Sequence, residues 1–155
     1  MLPRESLRDP LLQARYWRRS RKQTAVEEKI RQLKMAKADF LAACIEQVGV
    51  QEGNFTTNAG PGMSWHQWGE AIDCVWVVNG RGVWDIQTLV NGVNGYHIYG
   101  EEARRLHLDC GLYWSGFVDA FHVQLRAEPS PLVFYSIKSI NDEMQRRFGG
   151  VLQPA

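Results

Sequence analysis

The run Ile72-Asp73-Cys74-Val75-Trp76-Val77-Val78, broken at Asn79-Gly80, most constrains what this chain can fold into. Its apolar and β-branched residues read as a strand, and Asn79-Gly80-Arg81-Gly82 reads as a hairpin turn into Val83-Trp84-Asp85. Helical spacing lies on both sides of it. Leu11 to Arg19 reads as a short helix after Pro10. Thr24-Ala25-Val26-Glu27 fits a capping box, followed by Val26, Ile30 and Leu33 and then Phe40, Leu41, Cys44, Ile45 and Val48 at helical spacing. Ser20 to Gln23 is then a turn that displays Arg21. Gly49 to Met63 has loop chemistry. Tyr96 to Leu108 reads as a helix with Ile98, Tyr99, Ala103 and Leu106 on one side, and Phe121 to Leu125 alternates as a strand. Ser130-Pro131 opens the last helical stretch, which carries Val133, Ile137, Ile140 and Met144 inward and stops at Gly149-Gly150. The class is α+β, a small antiparallel sheet with helices packed on it.

At 155 residues and 45% apolar composition the chain is expected to form one domain, residues 1–155. Within it, N-terminal helices span 11–48, a metal-site core 60–126 and a C-terminal helix 130–148. Net charge is +1, so nothing global points to nucleic acid. Residues 1–37 hold 11 Lys/Arg against 4 Asp/Glu, and the remainder hold 7 against 13. The usual meaning of such a run is a solvated helix face, and a basic face for an anionic polymer is the sharper alternative. Cys44, Cys74 and Cys110 form no CxxC pair and read as reduced, buried thiols. Cys74 adjoins Asp73, but on a strand it points to the opposite face and reads as core. The first ten residues contain no apolar run of the signal-peptide kind, and no stretch approaches the roughly 20 apolar residues of a membrane span. Synthesis in the cytoplasm is the expectation.

The chemistry concentrates in Ser64-Trp65-His66-Gln67-Trp68-Gly69-Glu70-Ala71-Ile72-Asp73 and in Asp119-Ala120-Phe121-His122. Together they supply two imidazoles and one carboxylate for a metal, with a second carboxylate left to act as a base. Hydrolytic zinc takes three such nitrogen or oxygen ligands and keeps an open position. His97 and His107 are expected at the surface or at a helix end.

The pattern Ser-x-His-x-x-Gly-x-Ala-x-Asp, a helix from Tyr96, Gly111-Leu112-Tyr113-Trp114 and Asp119-x-x-His122 resembles the VanY-like D-alanyl-D-alanine carboxypeptidases and the related L-alanyl-D-glutamate peptidases, which include phage endolysins. The likeness extends over about residues 15–126. It implies a hedgehog/D-Ala-D-Ala-peptidase-like fold and zinc held by His66, Asp73 and His122, with Asp119 as general base. It also implies a substrate or oxyanion arginine, assigned to Arg21 just before the Thr24 cap, with Arg19, in the pair Arg19-Ser20, as the open alternative. Ser64 and Trp114 are expected to touch substrate, with Trp65 and Trp68 beside Trp114 along a groove. Phe121 stands where relatives often have Pro, which alters loop stiffness, and the arginine region matches poorly. The implied substrate is the peptide stem of bacterial peptidoglycan, with an endolysin-like L-alanyl-D-glutamate cut favoured by Asp rather than Glu before the last histidine. The alternatives are a D-alanyl-D-alanine carboxypeptidase and a non-catalytic zinc-stabilised wall-binding module. The expected protein is a monomer that neither binds nucleic acid nor enters a membrane, and that reaches the wall by lysis or through an export partner, a holin or a secretion apparatus.

Overall fold

In the computed structural model, residues 1–152 are described; the last three residues of the 1–155 span lie outside the described residues. The architecture is α+β, as expected. The chain divides into two compact units, one of Met1–Leu7 with Gly69–Ala127, the other of Arg8–Trp68 with the residues from Glu128 onward.

The first unit is built on an antiparallel sheet of β1 (Leu2–Glu5), β2 (Ala71–Val78), β3 (Arg81–Val83), β4 (Asp109–Cys110) and β5 (His122–Gln124). The strand order is β1-β2-β5-β4, and β3 also pairs with β2. The turn between β2 and β3 is tighter than expected. Asn79 and Gly80, at φ 50° and 76°, turn the chain alone, so Arg81 and Gly82 already belong to β3. Two residues at positive φ make the mirror-image turn whose twist matches that of the strands.

The helix of this unit, α4, spans Gly95–Arg105 and is capped by the Asn94 side chain, which accepts from the N–H groups of Tyr96 and His97. It ends sooner than the expected Leu108. His107 takes φ 59°, its N–H donates to Arg104, and the Leu108 N–H reaches back to Ala103. That pair of bonds closes a helix through a left-handed residue, a position usually filled by glycine. The inward face is therefore Tyr96, Tyr99, Gly100 and Ala103, while Ile98 and Leu106 (64% exposed) face outward. Tyr99, Ala103, Cys110, Val123 and Ile72 pack together on the helix side of the sheet. Cys74, buried and two residues from Ile72 on β2, belongs to that side as well, and burial together with its thiol pushes the Tyr99 phenol upward. Successive side chains of a strand alternate faces, so Asp73 and His122 point the other way.

The second unit contains α1 (Pro10–Arg18), α2 (Gln23–Met35), α3 (Asp39–Val48) and α5 (Ile137–Phe148). Its core comprises Ala14, Trp17, Val26, Leu33, Leu41, Ile45, Ile140 and Met144 among others. The expected Thr24 cap is not formed. The helix starts two residues earlier, Lys22 occupies the cap without a side-chain bond, and Glu27 instead accepts from Gln23 at 3.0 Å. Lys37, at φ 57°, ends α2 by the same device as His107, with Lys37 donating to Lys34 and Ala38 to Leu33. Ser130-Pro131 does cap and open a helical turn, but only the short 3-10 turn Pro131–Val133, which leaves Val133 59% exposed rather than inward. The final helix restarts at Ile137 under a Ser136 cap. Among the described residues no helix is long and apolar enough to cross a membrane.

Candidate metal centre

His66 rides on a 3-10 turn, Trp65–Trp68, that is fixed from several directions. The Ser64 hydroxyl accepts from the His66 N–H at 3.4 Å, the Ser64 N–H donates to Gln67 Oε1 at 3.2 Å, and the His66 carbonyl accepts from Arg8 N–H at 3.2 Å. Beneath the turn lies a buried polar chain. Arg8 and the Gln67 amide both donate to Gln13 Oε1, and the Gln13 amide donates to the Ala59 carbonyl at 2.7 Å. A network of this kind holds its members in one geometry because a broken link leaves a buried polar group unsatisfied. His66 is 2% exposed.

Asp73 and His122 are direct cross-strand partners on β2 and β5, and Glu5 on β1 pairs with Asp73 from the other side. His122 Nδ1 lies 3.0 Å from Asp73 Oδ1. Burial alone would push the His122 imidazole down. The bond to Asp73, helped by Gln124 and the nearby Asp119, outweighs it and leaves His122 above its ordinary value. His66, Asp73 and His122 each offer one ligand atom, and these atoms all lie within 4.8 Å of one another. Two imidazoles and a carboxylate so gathered could hold a metal ion, and they are the donor set of a hydrolytic zinc with an open position. Cys74 is buried on the opposite face and takes no part.

Asp119 stands three residues before His122, in a tight turn. Its carbonyl accepts from the His122 N–H, its Oδ1 accepts from Phe121 N–H at 3.3 Å, and its own N–H donates to the Gly111 carbonyl at 2.9 Å. Gly111 is needed there for close approach. A Cβ on it would fall 2.4 Å from the Asp119 carbonyl oxygen. Phe121 does more than alter a loop, since its ring packs edge-on against Tyr96 at 5.0 Å.

The tryptophans sort differently from the expected groove. Trp65, at 2% exposed, is core and spends its Nε1 proton on the Glu128 carbonyl, so it cannot line a groove. Trp68 stacks flat on Tyr135 at 4.8 Å. Trp114, half-buried, is 5.1 Å from the His122 ring and donates to Asp109 at 2.7 Å. Arg21 is not simply displayed on its turn. It donates to the carbonyls of Trp17 and Thr57 and lies over the Trp17 ring at 4.3 Å. Arg19 lies over Tyr16 at 5.0 Å. Arg8, Gln13, Gln67 and Gln124 had no distinguishing mark in the sequence, because buried amides and guanidinium groups carry no motif of their own.

Residues 57–125, which contain all of the metal group and Asp119, match the family model described as D-alanyl-D-alanine carboxypeptidase. Over that span the chain is similar to this peptidase family. A comparison with curated proteins returns no match. The match to the D-alanyl-D-alanine carboxypeptidase model, together with the gathered His-Asp-His donors, supports a metal-dependent peptidase of the peptidoglycan-directed kind.

Proposed function

We propose that this chain is a zinc peptidase that hydrolyses the peptide stems of bacterial peptidoglycan at the L-alanyl-D-glutamate bond. The observation that carries the reading is the group His66, Asp73 and His122, with Asp119 on the turn that leads into His122. His66, Asp73 and His122 would hold the metal, and zinc bound there would supply a Lewis acid that polarises a carbonyl and lowers the pKa of water to roughly 7. Asp119 takes the proton of the attacking water and passes it to the leaving amine, which its carboxylate can do from a place near the metal but outside the ligand set. Trp114 flanks His122 and offers an apolar wall to the stem. Ser64 acts through His66 by holding its backbone. Arg19 suits the substrate arginine better than Arg21, whose guanidinium is tied to two backbone carbonyls and lies over the Trp17 ring. The working enzyme is a monomer that meets its wall after lysis or by way of an export partner.

Removal of the terminal D-alanine is the second reading, favoured by the description of the matched family. Mass spectrometry of defined muropeptides after incubation with the zinc-loaded protein separates the two. Release of the stem beyond L-alanine supports the endopeptidase. Loss of a single D-alanine replaces it with the carboxypeptidase, and intact muropeptides from a protein with zinc bound overturn both.

A further inference from the structure

His122 is gripped at both ring nitrogens, and the second grip decides which nitrogen is available to a metal. Nδ1 faces Asp73, and Nε2 lies 3.0 Å from Gln124 Oε1. Gln124 sits two residues further along β5, on the same face, and is 3% exposed. Its amide orientation follows from its other end. Gln124 Nε2 donates at 2.6 Å to the Arg126 carbonyl, which can only accept, so the oxygen of the amide must be the atom turned to His122. An amide oxygen also only accepts, and therefore His122 must carry a proton on Nε2.

The Arg126 carbonyl is itself held in place. The Arg126 guanidinium pairs with Glu70 at 2.6 Å, and the Leu125 N–H donates to the Glu70 carbonyl at 2.9 Å, so the ends of β2 and β5 are clamped together. The order of support runs from the Glu70–Arg126 clamp through the Gln124 amide to the His122 ring.

We propose that Gln124 is a positioning residue that fixes His122 as the Nε2–H form and so makes Nδ1, the nitrogen on the Asp73 side, its metal-ligating atom. The inference rests on the metal-site reading above. It assigns Gln124 a place on which a ligand's orientation depends, since the nitrogen a histidine presents is set by the bond its other nitrogen makes.

The test uses the full-length chain loaded with zinc. Nitrogen-15 NMR of its histidine rings is expected to show His122 bound through Nδ1 with a proton on Nε2. Gln124→Leu, which keeps the side chain's approximate size and removes the acceptor, is expected to weaken zinc binding about 10- to 100-fold. Gln124→Glu, which keeps an acceptor toward Nε2 but loses the donor to the Arg126 carbonyl, is expected to restore part of it, a rescue that a purely structural role would not produce. Metal on Nε2, or Gln124→Leu and wild type binding zinc equally, overturns the inference while leaving the metal site standing. A wild-type chain that binds no zinc overturns both together. Should Gln124→Leu fail to fold, the Nδ1 or Nε2 assignment in the wild-type protein decides alone.

Discussion

Gly111→Ala tests how closely the turn carrying Asp119 is fitted to its support. The added Cβ would lie 2.4 Å from the Asp119 carbonyl oxygen and 3.1 Å from the Asp119 Cβ. Close carbon–oxygen contacts settle near 3.3–3.6 Å, so the two segments must part by roughly 1 Å. Both atoms facing the methyl are on or next to backbone, and no flexible side-chain end can yield. Overpacking of this kind costs about 1–3 kcal/mol, which for a chain of this length lowers the melting temperature by roughly 2–12 °C. A displacement of about 1 Å at a catalytic group also costs on the order of 100-fold in turnover. The expected outcome is therefore a folded protein with a lower melting temperature and a far larger loss of hydrolysis, read by thermal melting and by muropeptide release. A melting temperature equal to that of wild type, with turnover within twofold, would refute the argument that Asp119 is held against Gly111.

Three further outcomes are expected. Asp119→Asn keeps the oxygen that accepts from Phe121 and leaves the ligands untouched, so it should retain zinc while losing about 10²- to 10⁴-fold in turnover, measured by metal analysis beside the hydrolysis assay. His122 is raised in the folded, metal-free chain, so its bond to Asp73 contributes stability that is complete below the unfolded value near 6.5 and lost as pH rises through the raised one. Melting of the metal-free protein should fall across that window while zinc affinity climbs, because zinc competes with the Nδ1 proton. Lys37→Gly relieves a left-handed lysine at the end of α2, and denaturant unfolding should show a gain of about 0.5–1 kcal/mol.

What was legible in the sequence had a local cause. Ile72 to Val78 with Asn79-Gly80 read as strand and turn because β-branched residues and positive-φ residues stand where those shapes need them. The pairing of Asp73 with His122 was implied only through the likeness to known peptidases, since register across two distant strands is not a local property. The departures from the expected pattern share a physical origin. Helix ends at Lys37 and His107 are made by residues that do not advertise a left-handed conformation, so helical spacing ran on past the end of α4 and gave no break at Lys37. β1 is short and includes Pro3, which an edge strand tolerates and a sequence pattern reads as irregular. Val133 kept the right spacing for an inward face, but the helix it was counted into does not begin until Ile137. Gln124 was invisible for a different reason. Its significance lies in which end of its amide meets a carbonyl, and that is decided only when the chain is folded.

The most direct test of the account is zinc stoichiometry, measured by elemental analysis after equilibrium dialysis of wild type, His66→Ala and His122→Ala. About one zinc per wild-type chain is expected, with a loss of retained metal in either variant, because each removes one of the three ligands gathered among the described residues. Stoichiometric zinc in both variants, or none in the wild type, would contradict it.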